Sequence, residues 1–328
     1  MRRIGITTTV PVEVILASGN IPVDLNNIFI TSDRRDEYVR TAERDGYPRN
    51  VCTWIKGMYG CLAHDNDIDT VVAVTQGDCS NTHALMETLA MKGIETIPFA
   101  YPYGREPDLL RSEIVRLTGE LGTSLNEAED ERRKLEPVRL ALDRLDELTW
   151  KGNRVTGAEN HSWLVSSSDF NGDPERYHRE LQRFLQEAED RREAAECVRL
   201  AYIGVPPILD DLYDTVNEYG GSIVFNEVQR QFSMPERTGD IVDQYLAYTY
   251  PYSIFHRLEY IGNELKRRKV CGAIHYVQSF CHRHIEDLIV RKMLTVPVLT
   301  IEGEAPGSVD ARTKIRIQAF VEMLGNTV

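Results

Sequence analysis

Eight short runs concentrate aliphatic, β-branched and aromatic residues: RIGITT (3–8), IPVDLN (21–26), DTVVAVTQ (69–76), IETIPFAY (94–101), VRLAYIGV (198–205), SIVFNEVQ (222–229), GAIHYVQS (272–279) and VPVLTIEG (296–303). Most of them do not alternate cleanly between apolar and polar positions. A strand covered on one face alternates, whereas a strand covered on both faces reads as a nearly continuous apolar run. Between these runs lie stretches with helical spacing, starting near Val12, Val51, Asn81, Pro107, Ile208, Tyr252, Arg283 and Ala311. Strand and helix in alternation predict an α/β fold built on parallel sheets.

The alternation stops in the middle of the chain. Residues 105–197 include NEAEDERRKLEPVRLALDRLDEL and DPERYHRELQRFLQEAEDRREAAE, which are charged, helical and nearly free of strand signal. They read as solvated helices bridging two lobes, with a charged partner-binding surface as the alternative. The expected organisation is a first α/β lobe at 1–104, a helical connecting region at 105–197 and a second α/β lobe at 198–328.

The two lobes share a plan. VTQGDC at 74–79 aligns with YVQSFC at 276–281, placing Gln76 on Gln278 and Cys79 on Cys281, and a new strand follows each at Ile94 and Val296. Upstream, IGITTTVPVEVILASGNIPV and IGVPPILDDLYDTVNEYGGSIV each run strand, proline turn, helix, glycine, strand. The shared order predicts two doubly wound, Rossmann- or flavodoxin-like sheets of similar topology. Ligands of such sheets gather beyond the C-terminal strand ends, the edge at which Cys79 and Cys281 would stand.

Composition narrows the partners. The 328 residues accommodate two domains with separate cores. A net charge of −13, from 38 Lys and Arg against 51 Asp and Glu, argues against nucleic acid. No apolar run approaches the roughly 18 residues of a membrane span. The opening MRRIGITTTVPVEV reads as a first strand, not as a signal peptide, and the expected location is the cytoplasm, without a membrane partner. Neither GxGxxG nor GxxxxGK[ST] occurs, so ATP is expected to act on a partner.

The six cysteines, Cys52, Cys61, Cys79, Cys197, Cys271 and Cys281, fit no zinc-finger spacing, and a disulfide framework is not expected in a cytosolic chain. Cys52, Cys79 and Cys281 fall at predicted helix starts, where backbone N–H groups and the positive dipole end favour a thiolate. Cys61, Cys197 and Cys271 fall elsewhere and read as packing residues. Three thiolates converging between lobes suit zinc, with His282 or His284 as a fourth ligand, or an iron–sulfur cluster. Spacing alone favours neither metal over the other, and three unrelated buried cysteines are the remaining reading.

At these motifs the sequence resembles the 2-hydroxyacyl-CoA dehydratase family, which includes 2-hydroxyglutaryl-CoA dehydratase subunits and related benzoyl-CoA reductase subunits. The similarity runs from TTTVPVEVILASGNIPVDL through NVCTWIKGMYG, QGDCSNTHALMETL and IHYVQSFCHRHIEDLIVRKMLTVPVLTIEGE to the closing DARTKIRIQAFVEML. The resemblance implies one [4Fe-4S] cluster per chain, held by Cys52, Cys79 and Cys281. It also implies an ATP-hydrolysing iron–sulfur activator protein as partner, an acyl-CoA substrate, and elimination of water from a 2-hydroxyacyl-CoA through a ketyl radical. The family's enzymes pair two different subunits, so a heterodimer is implied, while likeness to stand-alone members makes a homodimer the alternative. Six cysteines also match the double-cubane branch, which holds an [8Fe-9S] cluster and reduces small molecules. A non-catalytic zinc- or cluster-binding scaffold is the third reading. Gln76 and Gln278, beside the cysteine motifs, and Glu227 and Arg230, at a strand end of the second lobe, are the catalytic or substrate-binding candidates. Lys56, His83, His282 and His284 rank below them, and Trp54, Tyr276 and Phe280 are expected to keep the cysteines dry.

Overall fold

A computed structural model describes residues 1–65, 67–193 and 197–326. The first elements are β1 (Arg3–Ile6), α1 (Val12–Ala17), β2 (Ile21–Asp24), α2 (Leu25–Thr31), α3 (Arg35–Arg44), α4 (Thr53–His64), β3 (Ile68–Gln76), α5 (Asn81–Ala90) and β4 (Glu95–Ala100). Helices α6 (Pro107–Leu121), α7 (Leu125–Lys151), α8 (Gly157–Ser166) and α9 (Pro174–Glu189) follow. Then come β5 (Val198–Gly204), α10 (Leu212–Glu218), β6 (Gly221–Asn226), α11 (Glu227–Phe232), α12 (Ile241–Ala247), α13 (Ile254–Arg267), β7 (Gly272–Gln278), α14 (Asp287–Met293), β8 (Val298–Gly303) and α15 (Ala311–Gly325).

The strands form two four-stranded, wholly parallel sheets, ordered β2-β1-β3-β4 and β6-β5-β7-β8. The orders are equivalent, as the repeated motif order predicted. Every residue of β7 is buried, as a central strand between two helix layers requires. The first sheet carries Pro22 in β2 and Pro98 in β4, both edge strands, where a missing N–H breaks no ladder.

All eight predicted strands form. The run 222–229 is shorter than predicted, because the chain turns into α11 after Asn226. That asparagine is wholly buried and saturated: its amide donates to Gly157 O (2.9 Å) and Asn160 Oδ1 (2.8 Å), and its carbonyl accepts from the Tyr213 hydroxyl (2.7 Å). Helices α2, α3, α11 and α12 carried no sequence expectation. Asp24 starts α2 directly at the end of β2 by accepting from Asn26 N (2.9 Å), the bond of an N-cap.

The chain divides into two compact units: Met1–Arg139 with Ser166–His178 and Met234–Ser253, and Leu140–Val165 with Arg179–Ser233 and Ile254–Val328. The charged middle of the chain therefore contributes to both units; residues 194–196 of that stretch lie outside the described residues. Its helices are not simply solvated. In the first unit Arg139 of α7, fully buried, donates to Glu13 Oε1 (2.6 Å), and the same carboxylate accepts from Gln244 Nε2 (2.7 Å) and the Tyr245 hydroxyl (2.8 Å). Burial pushes the Glu13 carboxyl up, but the Arg139 charge and hydrogen bonds outweigh it and hold it below its ordinary range. In the second unit Asp146 of α7 takes both Arg268, through Nη1 (2.8 Å) and Nη2, and Arg230 Nε (3.0 Å). The two guanidiniums likewise outweigh burial and keep Asp146 ionised. No helix among the described residues is long and apolar enough to cross a membrane.

One buried pair behaves differently. Asp169 accepts from Asp24 N (2.7 Å) and Asn171 N (2.9 Å), with no cation bonded to it among the described residues, and burial together with the Asp24 charge pushes its carboxyl up to about 7. Such a group binds a proton in the native chain that the unfolded chain has already released above about pH 4. Stability from this site is full below the unfolded value and is lost as pH rises through about 7. Asp169→Asn should flatten that part of the pH dependence in denaturant titrations between pH 5 and 8; an unchanged slope would refute the assignment.

Candidate functional site

Parallel strands joined by helices place every strand's C-terminal end, and every following helix's N-terminal end, at one edge of the sheet. In the first unit β3 reaches that edge at Gln76 and the chain turns at Gly77 (φ +97°). A Cβ at Gly77 would lie 2.7 Å from Pro251 Cβ and 3.0 Å from Tyr101 Cβ, so glycine is needed for both conformation and space. Cys79 follows, and its carbonyl accepts from Thr82 N (3.0 Å) as α5 begins.

Cys52 reaches the same edge by another route. It is the N-cap residue of α4, and its carbonyl accepts from Lys56 N (3.2 Å). Helix α4 descends to the opposite edge, where Asp65 pairs with Arg3 at the start of β1 (3.1 Å). Its beginning must therefore stand at the C-terminal edge. Cys52 is buried in an apolar cluster with Ile55, Val71 and Leu85, and Cys79 packs against that cluster half-buried.

The second unit repeats the turn after β7. The chain reverses at Ser279 and Phe280, the latter at φ +64°, a conformation that bulky residues rarely adopt. Cys281 N then donates to Gln278 O (3.1 Å), and His284 N donates to Cys281 O (3.0 Å), closing one 3-10 turn over His282–His284. Both strand-end motifs thus run strand end, positive-φ residue, thiol and helical turn, with Gly77 two residues before Cys79 and Phe280 one residue before Cys281.

The equivalent glutamines differ. The β3–β4 register slips between Val74 and Gln76, and Gln76 is exposed. No slip interrupts β7, and Gln278 is buried, donating to Glu304 O (3.0 Å) and accepting from the Tyr276 hydroxyl (3.1 Å). Glu227 and Arg230, at the start of α11, are buried and engaged in ion pairs. The Glu227 carboxylate holds Arg257 by two bonds (3.1 and 2.7 Å) and accepts from Gly204 N (3.3 Å); Arg230 serves Asp146 and the Tyr260 hydroxyl. Lys56 is buried between Glu43 Oε1 (2.8 Å) and Arg49 O (3.1 Å). His83 is exposed and reaches Thr75 O (3.2 Å), and His284 lies 4.0 Å from Glu302. Of the aromatic residues, Tyr276 is buried in the second sheet, Trp54 packs edge-on against Phe29 (5.5 Å), and Phe280 is 50% exposed.

Sequence reasoning missed the charge chain behind the Cys281 turn. Arg257, already paired with Glu227, also meets Glu286 (3.5 Å), which meets Arg283 (3.4 Å). Beside it His275 bonds Asp287 (2.7 Å), and burial outweighs that carboxylate to hold the imidazole below its usual range. A histidine inside the apolar run GAIHYVQ was the signal available.

The other cysteines occupy different ground. Cys61 sits in the last turns of α4, where burial pushes its thiol far up. Cys197 precedes β5 and Cys271 precedes β7, at the N-terminal edge of the second sheet, and burial raises the Cys197 thiol. None of the six forms a disulfide. Among the described residues no three His, Cys, Asp or Glu side chains gather into a metal-holding group. Cys52 and Cys79 belong to the first unit and Cys281 to the second.

A family model described as 2-hydroxyglutaryl-CoA dehydratase, D-component, matches residues 7–324, which hold every strand of both sheets except β1. No curated protein matches the chain.

The turn before Cys79 gives a direct test. Gly220 also has positive φ (+85°) but no atom within 4 Å of a built Cβ, so Gly220→Ala meets backbone strain alone. Gly77→Ala meets strain and collision together and should cost roughly 1–3 kcal/mol in denaturant titrations. A loss no larger than that of Gly220→Ala would show that the turn is not tightly packed.

Proposed function

Because the chain belongs to the 2-hydroxyglutaryl-CoA dehydratase D-component family, we propose that it is the iron–sulfur component of a radical 2-hydroxyacyl-CoA dehydratase served by an ATP-hydrolysing activator protein. The family match across residues 7–324 carries this reading. The matching turns at Cys79 and Cys281, with Cys52 at the same sheet edge as Cys79, support it.

The thiols fit a cluster in kind. None is in a disulfide, Cys52 is the N-cap of α4, and Cys79 immediately precedes Ser80, the N-cap of α5. Iron binds the thiolate form of cysteine. Cys52, Cys79 and Cys281 would hold a [4Fe-4S] cluster. When bound, such a cluster supplies one-electron chemistry and leaves one iron without a thiolate. The chain's own contribution is positional. Gly77 and the strained Phe280 aim their cysteines off the strand ends, and the apolar cluster of Ile55, Val71 and Leu85 keeps water from Cys52. Cys61, Cys197 and Cys271 stand apart from these strand-end positions, which favours a single cubane over the double one.

Protein purified without oxygen should be brown and carry about 4 iron and 4 sulfide per chain. Cys79→Ser and Cys281→Ser should each lose most of that iron, and Cys197→Ser should keep it. About 8 iron per chain would instead support the double-cubane reductase, and one zinc in colourless protein the scaffold. Equal iron loss in Cys79→Ser and Cys197→Ser would refute the ligand assignment.

A further inference from the structure

Three buried hydrogen-bond donors at the C-terminal edge of the first sheet have no acceptor among the described residues. They are the Thr9 hydroxyl, in the turn after β1, the Trp54 indole N–H, in the first turn of α4, and the Thr82 hydroxyl, in the first turn of α5. Thr9 is 2% exposed and Thr82 0%. Trp54 stands two residues after Cys52 and Thr82 three after Cys79, and all five residues belong to the first unit. We infer that these three groups donate hydrogen bonds to sulfur of the cluster that Cys52 and Cys79 would help to hold, and so raise its reduction potential. The inference rests on the cluster reading proposed above and adds to it residues that are not ligands.

The missing acceptors are the first argument. A buried donor gives up its hydration, and in native chains it nearly always regains a partner. Buried threonines in other helices do so by turning the hydroxyl back on the helix, Thr118 to Val115 O (2.7 Å) and Thr149 to Leu145 O (3.0 Å). Thr82 has carbonyls at the same spacing behind it, at Asp78 and Cys79, and bonds neither. A hydroxyl rotates to suit whatever acceptor is near, so its lack of a partner when fully buried points to an acceptor from outside the chain. Trp150 of α7 also leaves its indole N–H unpaired among the described residues, but in the second unit, where its carbonyl accepts from Arg199 Nη2 (2.7 Å) near the N-terminal edge of the sheet.

The chemistry of the surroundings is the second. An indole N–H can only donate, so the partner of Trp54 must accept. Its setting is apolar: Trp54 and Cys79 both pack against the buried group that contains Cys52, Ile55 and Leu85. A compact anion such as a carboxylate would lose its water there without a cation to replace it. An iron–sulfur cluster spreads its charge over sulfide and thiolate sulfurs, each able to accept a hydrogen bond, and such bonds are among the factors that set its potential. Reduction adds negative charge, which strengthens these bonds, so the donors favour the reduced state. Thr9 is tied to the same turn through its backbone: Thr9 O accepts from the Tyr101 hydroxyl (2.9 Å), and Tyr101 Cβ lies 3.0 Å from a Cβ built on Gly77.

The test is a redox titration of the full chain, purified without oxygen and followed by the electron paramagnetic resonance of the reduced cluster, with iron measured in the same samples. Thr82→Val removes the donor and nearly keeps the shape. Combined with Trp54→Phe it should leave iron content unchanged and make reduction about tenfold less favourable, a fall of about 59 mV for one electron. Each single substitution, and Thr9→Val, should give part of that fall. Thr82→Ser, which keeps a hydroxyl, should restore the wild-type potential, and Trp150→Phe should not move it. Electron–nuclear double resonance should find an exchangeable proton coupled to the reduced wild-type cluster, weakened or absent in Thr82→Val. The inference is overturned by an unmoved potential in the double variant, by an equal fall in Trp150→Phe, or by Thr82→Ser behaving as Thr82→Val does. If Thr82→Val loses its iron, Trp54→Phe is read by itself, and no fall there overturns the inference as well. Colourless protein without iron overturns the cluster reading and this inference together, whereas brown protein with full iron and an unmoved potential overturns this one alone.

Discussion

Parallel pairing is the constraint on which the rest of the molecule depends. Two parallel neighbours cannot be joined by a tight turn, so each strand is followed by a crossover that returns to the starting edge. In the order β2-β1-β3-β4 the chain leaves β1 in one direction and comes back past it to β3. Helices that start this return begin at the C-terminal edge, as do the turns after β1 and β3. The order β6-β5-β7-β8 obeys the same geometry. This is why thiols distant in sequence, Cys52 before α4 and Cys79 after β3, come to one edge without any local motif joining them.

Each sheet is fixed by charges as well as by apolar packing. Glu13 on α1 gathers Arg139, Gln244 and Tyr245, and Asp146 on α7 gathers Arg230 and Arg268. Buried pairs of this kind contribute little net stability against an apolar replacement, but breaking one strands an uncompensated charge and costs about 3–5 kcal/mol. Arg139 is satisfied within the first unit and Asp146 within the second. The charged middle of the sequence, so unlike the lobes in composition, thereby becomes part of both cores.

The two cysteine turns solve one geometric problem with different residues. In the first unit glycine takes positive φ, and its missing Cβ admits Pro251 and Tyr101. In the second a phenylalanine takes it, half-exposed and unfavourable for its bulk. Strain of this kind, about 1–3 kcal/mol, persists where surrounding structure over-determines a position and concentrates at ligand clamps.

Much of the fold was legible in the sequence. Apolar and β-branched runs identified all eight strands; β6 and β7 are buried at every position and signal at every position, whereas the edge strand β4 is partly exposed. The repeated Gln-x-x-Cys order identified matching turns, since a turn imposes its requirements on neighbours in the chain. Helices α2, α11 and α12 were not legible, being six or seven residues long, and α3, RDEYVRTAER, has few apolar positions to show a helical period. Nor were the roles of Glu227, Arg230 and Lys56. Each reads as an exposed charge at a plausible ligand edge, and only the arrival of Arg257, Asp146 and Glu43 from elsewhere in the chain turned them into buried partners. Local apolar pattern and turn chemistry are written along the chain, whereas pairing of charges depends on which helices meet, and that is decided by tertiary packing alone.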